Sequence, residues 1–422
     1  MPVDPADLVV DLPGEFRVHS DAYAAPDVFE LEMRRIFEAS WVYVAHESQI
    51  PEPGDFLTTR LGTQPVIVTR DRHGGINVLL NRCRHRASIV CRLPEGRAQQ
   101  FVCPYHSWTY GADGALLNVA QKDGYPPDVE REGLALHRAS AVGAYQGLIF
   151  ARLSGAGESL ERRLEAVRPY IDLWVERSPA ARIRVTRAAQ RMTYAGNWKF
   201  QMENGVDGYH GNYVHSSFIR IADRAGERKA SAFTAVRESG GAVGLPRGDG
   251  MIERPHGGMA GQFDYADVQH GDYHATLTAA YGHERTSHIL AQRNLLIFPN
   301  LFLFESHVRV IQPISVSETV VTMLPTLLED VPASMNAARL RAHERFFGPA
   351  GFGTPDDIEM FVNCENGMHA RAVEWVRLDR GLHRETGGAD RRIGHSTDET
   401  PQRSAYRQWL ALMQSANGGE MT

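Results

Sequence analysis

The sequence predicts an α+β protein of two domains, a small all-β unit followed by a larger one in which helices flank an antiparallel sheet. Three observations carry this. Residues 40–155 run as short β-rich stretches broken by glycine turns: PVIVT, DRHGG and INVLLN, then FVCPYHSWTY, GADG and ALLNV. Residues 294–328, NLLIFPNLFLFESHVRVIQPISVSETVVTMLPTLL, hold several β-rich runs separated by Pro-Asn, Glu-Ser and Ser-Glu turns, as an antiparallel sheet requires. With 422 residues, 43% of them hydrophobic, the chain exceeds the usual single-core size.

Taken in order, residues 1–39 read as a helical lead expected to pack on the second domain, 40–155 as the β unit, and 156–422 as the larger domain. The boundary falls at LSGAGES. ESLERRLEAVRPYIDLWVERS (158–178) follows with apolar residues at helical spacing. Helices are expected over ASMNAARLRAHERFF (333–347) and SAYRQWLALMQSA (404–416). The stretch 221–290, rich in Gly, Asp and His with weak periodicity, reads as long loops over a site or as partly disordered.

Charge and targeting signals narrow the function classes. A net charge of −6, spread over 45 basic and 51 acidic side chains, leaves no footprint for nucleic acid or an anionic membrane. No stretch approaches the roughly 20 apolar residues of a spanning helix, and MPVDPADLVVDLPGEF lacks the order of a signal peptide, so a cytoplasmic location is expected. Four cysteines (Cys83, Cys91, Cys103 and Cys364) are too few for a disulfide scaffold, which turns attention to metal or packing roles.

Two constellations carry chemistry. In the β unit, Cys83 and His85 stand in NRCRHRAS, and Cys103 and His106 in FVCPYHSWTY, with 17 residues between His85 and Cys103. Two thiolates and two imidazoles suit either a tetrahedral zinc or a [2Fe–2S] cluster with Cys₂ on one iron and His₂ on the other. Zinc sites usually pair like ligands in each knuckle. Here each loop brings one of each, as the mixed cluster needs. Cys91 has no place in this pattern and reads as packing.

The second constellation is GNWKFQMENGVDGYHGNYVHSSF. Glu203, Asp207 and His210 fall at i, i+4 and i+7 on one helix face, with His215 about 140° away unless the helix breaks at Gly211. With a break, His210 and His215 can converge on a metal, and a carboxylate would complete the 2-His-1-carboxylate triad that leaves positions open on Fe(II). In FGPAGFGTPDDIEMF, Thr354 reads as N-cap, Pro355 as the first helical residue, and Asp356 and Asp357 as the acidic first turn. Neither aspartate stands out on these grounds.

The first pattern, Cys-x-His then Cys-x-x-His, resembles the Rieske family. The second region resembles the catalytic domain of ring-hydroxylating oxygenase large subunits, with their Asn-Trp-Lys, Glu-Asn, Asp-x-Tyr-His-x-x-x-x-His and later Asp-Asp. That resemblance covers nearly the whole chain. It implies a Rieske β-sandwich and a helix-grip, START-like catalytic domain. It also implies a [2Fe–2S] cluster on Cys83, His85, Cys103 and His106, and Fe(II) on His210, His215 and Asp357. Asp207 would bridge a Rieske histidine of one subunit to an iron histidine of its neighbour. The implied assembly is a head-to-tail trimer, with or without a small β subunit. NADH electrons would arrive through a reductase, with or without a ferredoxin, and O₂ is the co-substrate.

The wording ENGVDGYH, like RNLLIFPNLFLFESHVRVIQPISV, resembles the benzoate and anthranilate branch, while FGPAGF resembles the naphthalene type. The implied activity is cis-dihydroxylation of an aromatic ring, by preference a single ring that may carry a carboxylate. Met202, Val206 and Phe347 are the pocket candidates, and Arg309 could pair a substrate carboxylate or serve a structural ion pair. A Rieske monooxygenase or demethylase acting as an α-only trimer is the alternative within the enzymes. A Rieske electron carrier or a zinc module would leave the second histidine–carboxylate set unexplained.

Overall fold

The computed structural model describes residues 4–126, 132–225, 240–255, 271–351 and 353–415. The chain divides into two compact units, one built on Met33–Leu160 and the other on Met1–Glu32 together with Glu161–Ala416.

The β unit is made of three antiparallel sheets. One has four strands, in the order Ile76–Leu80, Gln64–Arg70, Asp55–Leu61 and Glu95–Arg97. A second joins Leu116–Asn118, Thr109–Gly111 and Gln100–Val102, and a third joins Ala141–Tyr145, Leu148–Arg152 and Val42–His46. Alternating apolar residues from these strands close a core of Phe56, Ile67, Leu79, Phe101, Trp108 and Tyr110. Cys83, Cys91 and Cys103 are buried in it.

The other unit is built on a ten-stranded antiparallel sheet. Its longest pair is His307–Ser315 and Glu318–Leu328, and the sheet continues from His307–Ser315 through Leu301–Leu303, Gln292–Ile297 and Gly250–Arg254. The helices that carry or brace the site are Trp198–Gly205, Ser216–Arg224, Ala333–Phe347, Thr354–Met368 and Thr400–Gln414.

One buried carboxylate ties distant segments of this unit together. Glu32 accepts from Trp198 Nε1 at 2.8 Å, Lys199 Nζ at 2.6 Å and Trp409 Nε1 at 2.6 Å. Lys199 and Glu32 are both fully buried. An ion pair out of water is tolerable only with such extra hydrogen bonds, and deleting one partner of a buried pair costs about 3–5 kcal/mol. Asn197 caps the same helix, accepting from Lys199 N, while its own N–H donates to Glu365.

Two sequence expectations need correction. The lead is not purely helical: Val9–Leu12 and Glu15–His19 form a hairpin that pairs with Trp375–Arg377. The stretch 221–290 is not a run of loops where it is described. It supplies the sheet strands Gly241–Gly244 and Gly250–Arg254 and the helices Gly271–Tyr281 and His283–Leu290. The strands hid because Gly244 and Gly250 are pressed on the Thr400–Gln414 helix; a Cβ on Gly244 would meet Ser404 Oγ at 2.1 Å and one on Gly250 would meet Pro401 Cβ at 2.8 Å. The remainder, 226–239 and 256–270, lies outside the described residues.

Candidate metal centres

The first site sits on two loops with the same backbone plan. Cys83 N–H donates to Ser88 O and Ala87 N–H to Cys83 O; Cys103 N–H donates to Trp108 O and Ser107 N–H to Cys103 O. The fifth residue of each loop, Ala87 and Ser107, takes a left-handed φ of 60° and 56°. This duplicated turn brings one buried cysteine and one half-buried histidine from each loop to a common tip, with the His85 and His106 rings 4.5 Å apart.

Side chains around the tip fit a metal cluster. His85 Nδ1 is buried without a hydrogen-bond partner, the state of a nitrogen that needs a ligand. Burial alone would raise the Cys103 thiol, but the N–H groups of Tyr105 and His106 and the Cys83 side chain outweigh it and lower its pKa. Tyr110 Oη lies 3.3 Å from Cys83 Sγ and accepts from Arg84 N–H at 3.1 Å. His85 stacks on Trp108, and Tyr105 covers His106. Cys91 instead lies beside Asn81, whose side chain bonds the backbone of residues 90 and 91, and has no part in the tip.

The second site is assembled from chain-distant parts. The helix Trp198–Gly205 stops before Asp207, earlier than the break expected at Gly211. Its last residue, Gly205, packs so tightly on Phe302 that a Cβ would lie 2.4 Å from the ring. Glu203 therefore does not share a face with His210. It is held by Tyr23 and Tyr406, which donate to it at 2.7 and 2.5 Å. A turn through Asp207–Tyr209 leads into the short helix Gly211–Val214, and a second break at His215 aims both histidines at one point.

Asp357, in the first turn of Thr354–Met368, meets them there. His215 Nε2 is 3.3 Å and His210 Nε2 3.5 Å from its Oδ1, and ligand atoms of the three residues all lie within 4.8 Å of one another. Asn204 Nδ2 donates to the same oxygen at 3.2 Å. Asp356 stands outside this point, 37% exposed against 8% for Asp357, with an oxygen 3.7 Å from His215 Nδ1. Burial works against the Asp357 charge, but His215 and His210 hold its carboxyl below the ordinary value. Burial likewise disfavours a charged His210, yet Asp207 and Asp357 hold that imidazole above its ordinary value. Two imidazoles and one carboxylate on one point, facing a cavity, suit a non-haem Fe(II).

That cavity, of about 150 Å³, is lined by Phe218, Phe304, Arg309, Phe346 and Phe347 as well as by the triad. Phe347 lies where the sequence suggested. Met202 and Val206 do not line the cavity; both are fully buried. Sequence reasoning missed Asn204, Phe304 and Phe346, although Phe346 adjoins Phe347 and Phe304 stands in the FLFES run. Asp207 Oδ2 is 3.2 Å from His210 Nδ1, and its side chain is 28% exposed at the rim.

Comparison with known proteins accords with this geometry. Residues 40–129 match the Rieske [2Fe–2S] domain, and residues 181–415 match the ring hydroxylating alpha subunit catalytic domain. The chain is 34% identical over 400 residues to the 2-halobenzoate 1,2-dioxygenase large subunit of Burkholderia cepacia, covering 90% of this chain and 84% of that one. It is 32% identical to the anthranilate 1,2-dioxygenase large subunit of Acinetobacter baylyi, covering 89% and 82%. The solved structure of a naphthalene 1,2-dioxygenase mutant bound to phenanthrene superposes with a TM-score of 0.86 at 25% identity, covering 97% and 95%. Two family domains in series, each with its ligand set gathered in space, make this chain a member of the Rieske-type ring-hydroxylating oxygenases, as the large catalytic subunit.

Proposed function

We propose that the chain cis-dihydroxylates a one-ring aromatic carboxylate, with the [2Fe–2S] cluster on Cys83, His85, Cys103 and His106 and the mononuclear iron on His210, His215 and Asp357. When bound, the two centres supply electron storage and O₂ activation. The chain's own residues supply placement and selectivity.

The observation that carries the substrate class is Arg309. It lines the cavity, is 2% exposed, and its guanidinium carbon sits 4.5 Å over the Phe304 ring and 5.3 Å over Phe347. Its Nε is buried without a hydrogen-bond partner, and burial pushes its pKa down to about 10 despite the nearby Asp357. Burying a cation with a donor left unpaired is costly, and breaking a buried ion pair costs about 3–5 kcal/mol. A carboxylate arriving with the substrate removes that cost by a charge-assisted fork. The aromatic walls then flank a flat ring and exclude water.

Asp207, at the rim beside His210, is the proposed route by which a neighbouring subunit's cluster delivers electrons. Exposed apolar residues on or next to the tip loops (Ile89, Val102, Tyr105) and beside Asp207 (Tyr209, Tyr213) support a head-to-tail trimer. The reading includes a reductase, with or without a ferredoxin, an optional small β subunit and a cytoplasmic setting.

Turnover with ¹⁸O₂ and paired substrates tests the reading. Benzoate-type acids should yield diols carrying both labelled atoms, and Arg309→Gln should raise the KM for the acid by about a hundredfold, the 2–5 kcal/mol range of a buried charge pair, while toluene-like neutrals gain. A single labelled atom would favour the monooxygenase alternative; an unchanged KM would remove the carboxylate.

A further inference from the structure

Asp207 occupies a turn between helices, partly open to solvent, where an aspartate has little to hold its rotamer. Three contacts nevertheless fix this turn. Tyr209 N–H donates to Asp207 Oδ1 at 2.5 Å. Gly208 is pressed on the Ser396–Thr397 backbone, where a Cβ would come within 2.0 Å of Ser396 O. The Arg380 guanidinium carbon lies 3.7 Å from the Tyr209 ring centroid.

Arg380 is itself fastened to that same segment. Its Nε donates to Thr397 O at 2.8 Å, its NH2 to Thr397 Oγ1 at 3.4 Å, and its backbone N–H to Glu399 Oε2 at 2.8 Å. The segment is rigid in turn, because buried Asp398 accepts from Arg384 and from His395 N–H. Among the described residues the Arg380 guanidinium pairs with no carboxylate. Its open planar face is used on Tyr209 instead, the geometry of a cation–π clamp.

We infer that Arg380 is a positioning residue: stacked on Tyr209, it holds the Asp207–Tyr209 turn against Ser396–Glu399 and so keeps the Asp207 carboxylate at His210. The inference rests on the proposed role of Asp207 as the inter-subunit route. Since Oδ1 is bonded to the Tyr209 amide and Oδ2 lies 3.2 Å from His210 Nδ1, any loosening of Tyr209 moves the carboxylate that the route uses. Misplacement by about 1 Å at such a site costs on the order of a hundredfold in rate.

The test uses the cluster- and iron-loaded full chain in four variants, Arg380→Ala, Tyr209→Leu, Tyr209→Phe and Asp207→Asn. Two readouts are taken: hydrogen exchange of the Tyr209 amide, and the single-turnover rate at which the pre-reduced cluster is reoxidised. Arg380→Ala and Tyr209→Leu should exchange about tenfold faster or more and slow reoxidation by about tenfold to a hundredfold, with iron content and cluster EPR signal unchanged. Tyr209→Phe, which keeps the ring, should match the wild type in both. Wild-type exchange in Tyr209→Leu overturns the clamp, even if Arg380→Ala misfolds. Wild-type reoxidation in Asp207→Asn would instead remove the electron route, leaving amide exchange to judge the clamp alone.

Discussion

The two metal sites are built by opposite strategies. The Cys–His tip draws its four candidate ligands from residues 83–106, on two loops whose backbones repeat the same hydrogen bonds. The histidine–carboxylate site draws on residues 210, 215 and 357, and the helix that leads into it is held by chain-distant contacts: Gly205 lies against Phe302, and the helix start is tied to Glu32 and Glu365. A site made locally should survive the loss of the other, whereas a site made by packing should respond to changes far from it.

The largest test of this contrast removes one ligand from each. Cys103→Ala should lose the cluster, about two irons and both sulfides, while keeping the mononuclear iron; Asp357→Ala should lose the mononuclear iron, with its affinity down at least about a hundredfold, and keep the cluster spectrum. Iron and sulfide analysis with EPR reads both, and loss of both metals in either variant would erase the distinction. A smaller effect sharpens it from the tip side. Tyr110→Phe deletes a hydroxyl that approaches Cys83 Sγ, and a lost hydrogen bond of about 1 kcal/mol corresponds to a cluster potential about 40 mV more negative. Spectroelectrochemistry should find that shift with no change in mononuclear iron binding.

The smallest effect concerns acid. Burial lowers His343 to about 4, with Arg309 and Arg339 adding to it, and drives the neighbouring His307 well below its ordinary value. In the β unit burial lowers His46 to about 4, with Gln146 opposing. Below pH 6.5 the unfolded chain takes up protons that these folded imidazoles refuse, so the stability they confer is present above 6.5 and lost as pH falls toward 4. With two deeply buried imidazoles of this kind against one, His106 of the β unit being lowered too but only half-buried, the catalytic unit should unfold first on acidification, and intrinsic fluorescence should change before the visible circular dichroism of the cluster. Coincident transitions would count against unequal protection.

The same contrast explains what could be read from sequence. The tip was readable because spacing alone brings Cys83, His85, Cys103 and His106 together once the loops are recognised. His210 and His215 were readable as a pair, but their approach depends on where the helix Trp198–Gly205 ends, on the turn at Asp207 and on the break at His215. The choice between Asp356 and Asp357 needed the family resemblance, since both begin a helix and only packing leaves one buried. Met202 and Val206 were named as pocket residues by position alone, and both prove fully buried and absent from the cavity lining. The strands at 241–254 were missed because glycines that admit the C-terminal helix carry no β signal.

The Glu32 carboxylate has a bearing on how the protein is made. During synthesis Glu32 emerges early, Trp198 and Lys199 emerge 166 and 167 positions later, and Trp409 only after 377. Until then the acid lacks its last donor, and the helix that leads into the iron-binding turn rests on an incomplete buried charge. The candidate cluster ligands of the β unit lie within one short stretch, residues 83–106, and none of the hydrogen bonds that shape their two loops waits on so distant a partner.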